Sequence, residues 1–273
     1  MILTDKTVLL TGAARGIGQA TAKELARTGA DIIGVDLRLQ EMQETAAAVE
    51  GLGRKFTPFA CDITQKRAAQ KMIKQAEGLN GGFDVLINNA GVLPSGPFWE
   101  RDFEVWRRTI EINLLGTMHL TYMALPKFLQ RNSGHIVNIA SIAGKFGTEG
   151  VVAYAASKHG VVGFSSALRS ELEGTNIGVS WICPSPARTR LSEGVRHTFL
   201  TPVVEPEQVA LAVRKAIETN AIEVFVPGRV RLVSSIVPAL SPRLARWILR
   251  VAKASRGWLL AKKELPEFED QKL

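Results

Sequence analysis

Cysteine and tyrosine are scarce in this chain, with two of each among 273 residues. Cys61 and Cys183 are too few for a disulfide framework and too far apart in sequence for a thiolate metal cluster. His119, His135, His159 and His197 show no metal-ligand spacing, so no metal is expected. No stretch reaches 18 uninterrupted apolar residues, and no apolar run precedes the first strand-like segment. These absences lead to the expectation of a reducing, cytoplasmic setting without a spanning helix. Acids are missing altogether from 229–263, which holds Arg229, Arg231, Arg243, Arg246, Arg250, Lys253, Arg256, Lys262 and Lys263. That stretch carries +9 against a whole-chain formal charge of +8, so the rest sums to −1. The basic character is therefore local. No aromatic platform interleaves with these cations, so nucleic acid is not an expected partner.

What is present is 46% hydrophobic and 22% charged residues, the balance of a chain with a sizeable core. Short apolar runs at 7–10, 31–35, 56–60, 84–88, 135–140, 178–183 and 223–227 alternate with longer amphipathic spans. Repeated β-α units predict a doubly wound α/β fold, a parallel sheet with helices on both faces. Ligands of such a sheet bind beyond the carboxyl ends of its strands. The pattern predicts one Rossmann-fold domain over 1–228, holding cofactor and catalytic sites, and a basic C-terminal extension over 229–273.

The stretch LLTGAARGIGQATAKEL runs from strand to glycine-rich turn to helix. Gly12 permits the tight turn, while Gly16 and Gly18 let the backbone approach a pyrophosphate and let the helix pack on the sheet. Asp36 follows at the end of the second strand, where an acid binds adenosine ribose hydroxyls and repels a 2′-phosphate. NAD is therefore expected over NADP. Arg15 and Arg38 stand close enough in sequence that either guanidinium could reach a phosphate. Further on, Tyr154 precedes Lys158 by one helical turn, which would present a phenol and an ammonium to one cavity. Composition alone yields such a pair in roughly one sequence in ten, so its meaning depends on its neighbours.

Those neighbours resemble the short-chain dehydrogenase/reductase family over about residues 5 to 228. TGAARGIG resembles the family's glycine-rich turn, CDIT its Asp-containing strand end, and NNAG at 88–91 its fourth-strand motif. Ser141 follows the fifth strand, and Tyr154 and Lys158 fall on the Tyr-x-x-x-Lys positions. The resemblance implies a catalytic set of Asn113, Ser141, Tyr154 and Lys158. It implies cofactor contacts from Gly12, Arg15, Gly16, Ile17, Gly18, Asp36, Asp62, Ile63, Asn89, Ala90, Gly91, Tyr154, Lys158, Pro184 and Thr189. Within it Asp62 would meet the adenine amino group, Ser141 the substrate oxygen, Lys158 the nicotinamide ribose and Thr189 the carboxamide. Asn113 would support a water that connects the lysine to solvent. One departure is PSPARTR, where Ser185 stands in the place of the family's glycine. A positive φ there would strain a serine. Thr189 is alternatively a helix N-cap.

Hydride transfer to or from a carbinol carbon needs a proton to move at the oxygen, hence a poised acid/base. Bringing a phenol from about 10 to about 7 takes about 4 kcal/mol of preference for phenolate, to which Lys158 and an oxidised nicotinamide would contribute. The expected function is an NAD-dependent alcohol dehydrogenase or ketone reductase for a secondary or lipophilic alcohol of retinoid, steroid or fatty-alcohol type. The alternatives are an NADP-dependent 3-oxoacyl-thioester reductase, against which Asp36 speaks, and a non-catalytic nucleotide-binding scaffold with a membrane-binding tail. Segment 190–204 is expected to cover the substrate, and a homodimer or homotetramer is expected. On a helical wheel, 243–259 places Leu244, Trp247, Ile248, Val251, Trp258 and Leu259 opposite its cations. That face suggests either peripheral contact with a membrane surface or packing on the enzyme's own body or a second subunit, as a lid over an apolar pocket.

Overall fold

The computed structural model describes residues 1–79, 81–192 and 201–241 together with 243, 244 and 247. The amphipathic segment 243–259 and the middle of the expected substrate cover, 193–200, thus lie largely outside the described residues. Seven strands form: β1 (Thr7–Thr11), β2 (Asp31–Asp36), β3 (Phe56–Ala60), β4 (Val85–Asn88), β5 (Gly134–Ile139), β6 (Ile177–Pro184) and β7 (Glu223–Val226). They make one parallel sheet in the order β3-β2-β1-β4-β5-β6-β7. Parallel pairing demands a crossover after each strand, and these crossovers carry the helices α1 (Gly16–Arg27), α2 (Gln43–Glu50), α3 (Lys66–Glu77), α4 (Phe103–Ile110), α5 (Thr117–Gln130), α6 (Val152–Glu171) and α7 (Pro206–Thr219).

Side chains alternate across the sheet with the period of two that a strand imposes. Val8 and Leu10 of β1 and Val85 and Ile87 of β4 join Leu25 of α1, Val49 of α2 and Val213 and Ile217 of α7 on one face. Leu9 and Leu86 point the other way, to Ile73 of α3, Leu120 and Phe128 of α5 and Leu168 of α6. Both faces are buried, which is why the strands read as continuous apolar runs. His135 on β5 is buried and shares a hydrogen bond of 2.9 Å with Ser180 on β6.

The first part of the C-terminal extension packs on the body. It forms α8 (Val230–Ala239), whose Val230 and Val237 bury against Trp181 and Cys183 of β6 and Phe225 of β7. Among the described residues no helix is long and apolar enough to cross a membrane.

The order of strands reverses between β1 and β4, so the crossovers that follow them leave on opposite faces of the sheet. A crevice opens there beyond the carboxyl ends, at the switch point where such sheets bind ligands.

Candidate active site

The cleft encloses about 730 Å³. Its floor is the turn between β1 and α1. Gly12 and Gly16 have φ of +66° and +57°, values that favour glycine. Gly18 is demanded by space, since a Cβ there would lie 1.8 Å from the carbonyl oxygen of Gly12. Thr11 ties this turn to the end of β4: its Oγ1 accepts the amides of Asn89 at 3.0 Å and Ala90 at 3.1 Å. Asn89 Nδ2 donates back to the carbonyls of Thr11 and Gly12 at 2.9 and 3.1 Å. Arg15, ahead of α1, makes no side-chain cap, and Gly16 and Ile17 of the first turn line the cleft. An uncapped helix N-terminus beside such a turn suits a pyrophosphate.

At the end of β2 the Asp36 carboxylate accepts the amides of Ala14 at 2.9 Å and Leu37 at 2.8 Å. Next to it, Glu41 faces two arginines: Arg38 Nη1 lies 3.1 Å from Oε1, and Arg15 Nη1 lies 3.8 Å from Oε2. Asp62 has its own partners. Arg108 Nη2 donates to Oδ2 at 2.6 Å, and the amide and hydroxyl of Thr64 donate to Oδ1 at 2.9 and 2.7 Å. Burial pushes this carboxyl up, but the Thr64 bonds and the bond and charge of Arg108 outweigh it and hold the group below its usual value.

Ser141 follows β5, with its Oγ accepting the amide of Ala143 at 3.1 Å. Tyr154 and Lys158 project from the first two turns of α6, and Lys158 Nζ sits 5.7 Å from the centroid of the Tyr154 ring. One Nζ–H donates to the Ile139 carbonyl at 2.7 Å. Burial pushes the Tyr154 phenol up to about 12, with hydrogen bonding from Ser141 acting downward and Cys183 upward. Burial also pulls the Lys158 ammonium down to about 8, against a smaller upward pull from Cys183. The descent of the phenol toward about 7 was expected with an oxidised nicotinamide beside it, a charge that the protein alone does not supply. Both groups are enclosed, and loss of hydration disfavours phenolate more than the Ser141 hydrogen bond favours it.

The structure brings Ser141, Tyr154 and Lys158 to one cleft with Gly12, Arg15, Gly16, Ile17, Asp36, Asp62, Ile63, Asn89, Ala90, Gly91, Pro184 and Thr189. Two residues of the expected set do not line it. Gly18 lies beneath the turn. Asn113, in a π-helical turn over Glu111–Gly116, is turned to the loop after β4. Its Oδ1 accepts the Val92 amide at 2.8 Å, and its Nδ2 donates to the Val92 carbonyl at 2.9 Å and Ser157 Oγ at 3.1 Å. The Asn113 side chain therefore clamps a loop, because the backbone at Val92 offers it both a donor and an acceptor. The Thr189 hydroxyl donates to the Ala187 carbonyl at 3.4 Å, and its methyl faces the turn, 3.0 Å from where a Cβ on Gly16 would stand. Ser185 is not among the residues with positive φ, so no glycine is required, and its amide donates to the Val226 carbonyl at 2.8 Å.

Arg108 and Glu41 line the cleft and were not anticipated. Glu41 was legible as the i+3 partner of Arg38, whereas nothing local to Arg108 announces its bond to Asp62, 46 residues away. The fit to a nicotinamide dinucleotide rests on chemistry in the cleft itself. The turn admits close backbone approach, and the buried Ser185 hydroxyl, lining the cleft, has no hydrogen-bond partner among the described residues. A buried hydroxyl of that kind suits a polar ligand group.

Comparison with known proteins agrees. A family model described as short chain dehydrogenase matches residues 6–199. Ketoacyl reductase HetN of Nostoc is 36% identical, covering 90% of both chains. The 17-beta-hydroxysteroid dehydrogenase 13 of Rattus norvegicus is 35% identical over 91% of this chain and 84% of that one. Carveol dehydrogenase from Mycobacterium avium, solved in complex with NAD, superposes with a TM-score of 0.76 at 25% identity, covering 82% of this chain and 97% of that one. With the fold, the glycine turn and the Ser141, Tyr154 and Lys158 side chains gathered in one cleft, this chain belongs to the short-chain dehydrogenase/reductase family of nicotinamide-dependent oxidoreductases.

Proposed function

We propose that the protein interconverts a lipophilic secondary alcohol and its ketone, with NAD preferred over NADP. The observation that carries the substrate class is the lining around the reacting groups. Tyr154 packs with Leu93 and Val151, flanked by Ala143 and Leu191, and Ile142 and Phe146 line the same cleft. Such walls favour an apolar carbon skeleton and keep water from the reacting oxygen.

A bound nicotinamide supplies the carbon that accepts or returns the hydride. In the reducing direction Tyr154, held protonated by burial, delivers its phenolic proton to the ketone oxygen. In the oxidising direction the phenolate takes the proton from the alcohol hydroxyl, a form that the Lys158 cation favours. Ser141 holds the substrate oxygen beside the phenol. An ammonium has three donors, and Ile139 accepts only one from Lys158, which leaves two for the ribose hydroxyls. Asn113 supports the loop at Val92 that borders the cleft. The NAD preference is supported by Asp36, whose carboxylate is fixed by two amides and retains acceptor capacity for a ribose.

A second reading, reduction of a 3-oxoacyl thioester, is supported by the likeness to ketoacyl reductase HetN. The deciding experiment is a panel of steroid, retinoid and medium-chain alcohols and one 3-oxoacyl thioester, each with both dinucleotides. Highest kcat/KM for an NAD-coupled alcohol supports the first reading, and dominance of the thioester with NADP overturns it. Leu115, Met118 and Tyr122 stand exposed along the π-turn and α5, which supports assembly as a homodimer or homotetramer, measurable by light scattering. Peripheral membrane contact is supported only by the sequence of 243–259.

A further inference from the structure

Residues 141–146 leave β5 through a single 3₁₀ turn over Ile142–Gly144. Ser141 opens this segment, Ile142 and Phe146 wall the cleft, and Lys145 does not line it. Lys145 reaches instead toward the far edge of the sheet, where its Nζ donates to Glu223 Oε1 at 3.1 Å. The Trp181 indole N–H donates to the same oxygen at 2.7 Å. Glu223 opens β7 and pairs in register with Trp181 of β6, so the acceptor for Lys145 is held by two strands. Both side chains of the ion pair are only 24% exposed. The segment is seated on two further sides. Ile142 and Phe146 bury in one cluster with Trp181 and Phe225, and a Cβ on Gly144 would stand 2.6 Å from the Lys158 carbonyl oxygen.

We infer that Lys145 is a positioning residue for the oxidoreductase chemistry: its bond to Glu223 fixes segment 141–146, and with it the Ser141 hydroxyl and the Ile142 and Phe146 walls. The inference rests on the alcohol–ketone reading of the cleft. The turn closes with backbone bonds from Gly144 to the Ser141 carbonyl and from Lys145 to the Ile142 carbonyl, both at 2.9 Å. So short a 3₁₀ turn holds its shape weakly by itself, and a tether at its end decides how often it opens. Because Gly144 lies against the backbone of Lys158, a loosened turn disturbs the walls, the Ser141 hydroxyl and the catalytic helix together. The pair keeps some contact with water, so its loss loosens the segment without unfolding the chain.

The test combines hydrogen exchange on the cofactor-free full chain with NAD-coupled kinetics on 2-decanol, testosterone and retinol. Lys145→Met keeps the apolar stem and removes the charge. It is expected to lower the protection of the Gly144 amide about fivefold, while the His135 amide, bonded to the Asp84 carbonyl at the start of β5, stays within about twofold. KM for the best of the three alcohols should rise about five- to tenfold and kcat fall about threefold, with NAD affinity within about twofold of wild type. Lys145→Arg, which can remake the pair, should restore both readouts. Adding Glu223→Gln to Lys145→Met should cost little more than Lys145→Met alone, because the tether is already gone. Unchanged Gly144 protection in Lys145→Met overturns the inference, as does a kinetic defect that Lys145→Arg shares in full. A loosened turn with unchanged KM and kcat overturns it too, since the turn then needs no holding. A wild type that turns over none of the three alcohols overturns the alcohol–ketone reading, and the inference with it. Folding of each variant is checked by its thermal transition.

Discussion

The carboxylate of Asp36 accepts the amide of Ala14 at 2.9 Å, so the acid that closes β2 braces the turn that follows β1. Its substitution therefore has two effects. Asp36→Ala is expected to weaken NAD about tenfold through lost ribose bonds, with NADP changed by less than about threefold, narrowing the ratio. It should also lower unfolding stability by about 1–2 kcal/mol, because the amides of Ala14 and Leu37 lose their acceptor. Calorimetry and denaturant unfolding measure the two separately, and NAD affinity equal to wild type would remove Asp36 from the cofactor site.

Tyr154→Phe removes the proton and keeps the ring that packs on Leu93 and Val151. Turnover is expected to fall by about 10²–10⁴-fold while cofactor affinity stays within about twofold. Activity within a few-fold of wild type would show that another group moves the proton.

Ser185→Ala separates stability from binding. In the protein alone the Ser185 hydroxyl is buried and unpartnered among the described residues, so its removal is expected to be neutral or stabilising by about 1 kcal/mol. If the hydroxyl meets the dinucleotide, the same variant binds it more weakly. Thermal melts with and without NAD read both, and a clear loss of stability without cofactor would contradict the unpartnered hydroxyl.

Lys158→Met should stabilise the cofactor-free protein and abolish turnover. The folded value of about 8 lies below the free value of 10.5, so the cost of the buried ammonium is fully present below pH 8. The unfolded chain holds more protons between those values, so wild-type stability from this group rises as pH climbs from 8 to 10.5. The variant is expected to gain roughly 2–3 kcal/mol at pH 7, with the gain vanishing toward pH 10.5. Denaturant unfolding across this range decides it, and a gain that does not depend on pH would exclude the buried charge as its cause.

The sheet was legible because each buried parallel strand must be apolar on both faces, and the runs at 7–10 or 135–140 announce that directly. The glycine turn was legible for a related reason: Gly18 faces a carbonyl oxygen at a distance no Cβ permits. Side-chain commitments were not legible. Position in the chain brings Asn113 near the site, yet that its amide pairs with the Val92 backbone depends on a loop 21 residues away. The Tyr154 phenol behaved likewise. Its partner at i+4 was visible, but the degree of enclosure, which decides the direction of its pKa, is a property of the packed whole.

The central place of β1 has a consequence for synthesis on the ribosome. Its partner on one side, β2, emerges soon after it, but its partner on the other side is β4, where Val8 pairs with Val85. At about 5–20 residues per second the second edge of β1 waits about 4–15 s for its cover. During that interval Val8, Leu9 and Leu10 present an apolar strand with free hydrogen-bonding groups, the kind of edge that recruits other chains. The same adjacency that opens the cofactor crevice thus leaves one edge of β1 to wait for a partner 77 residues later in the chain.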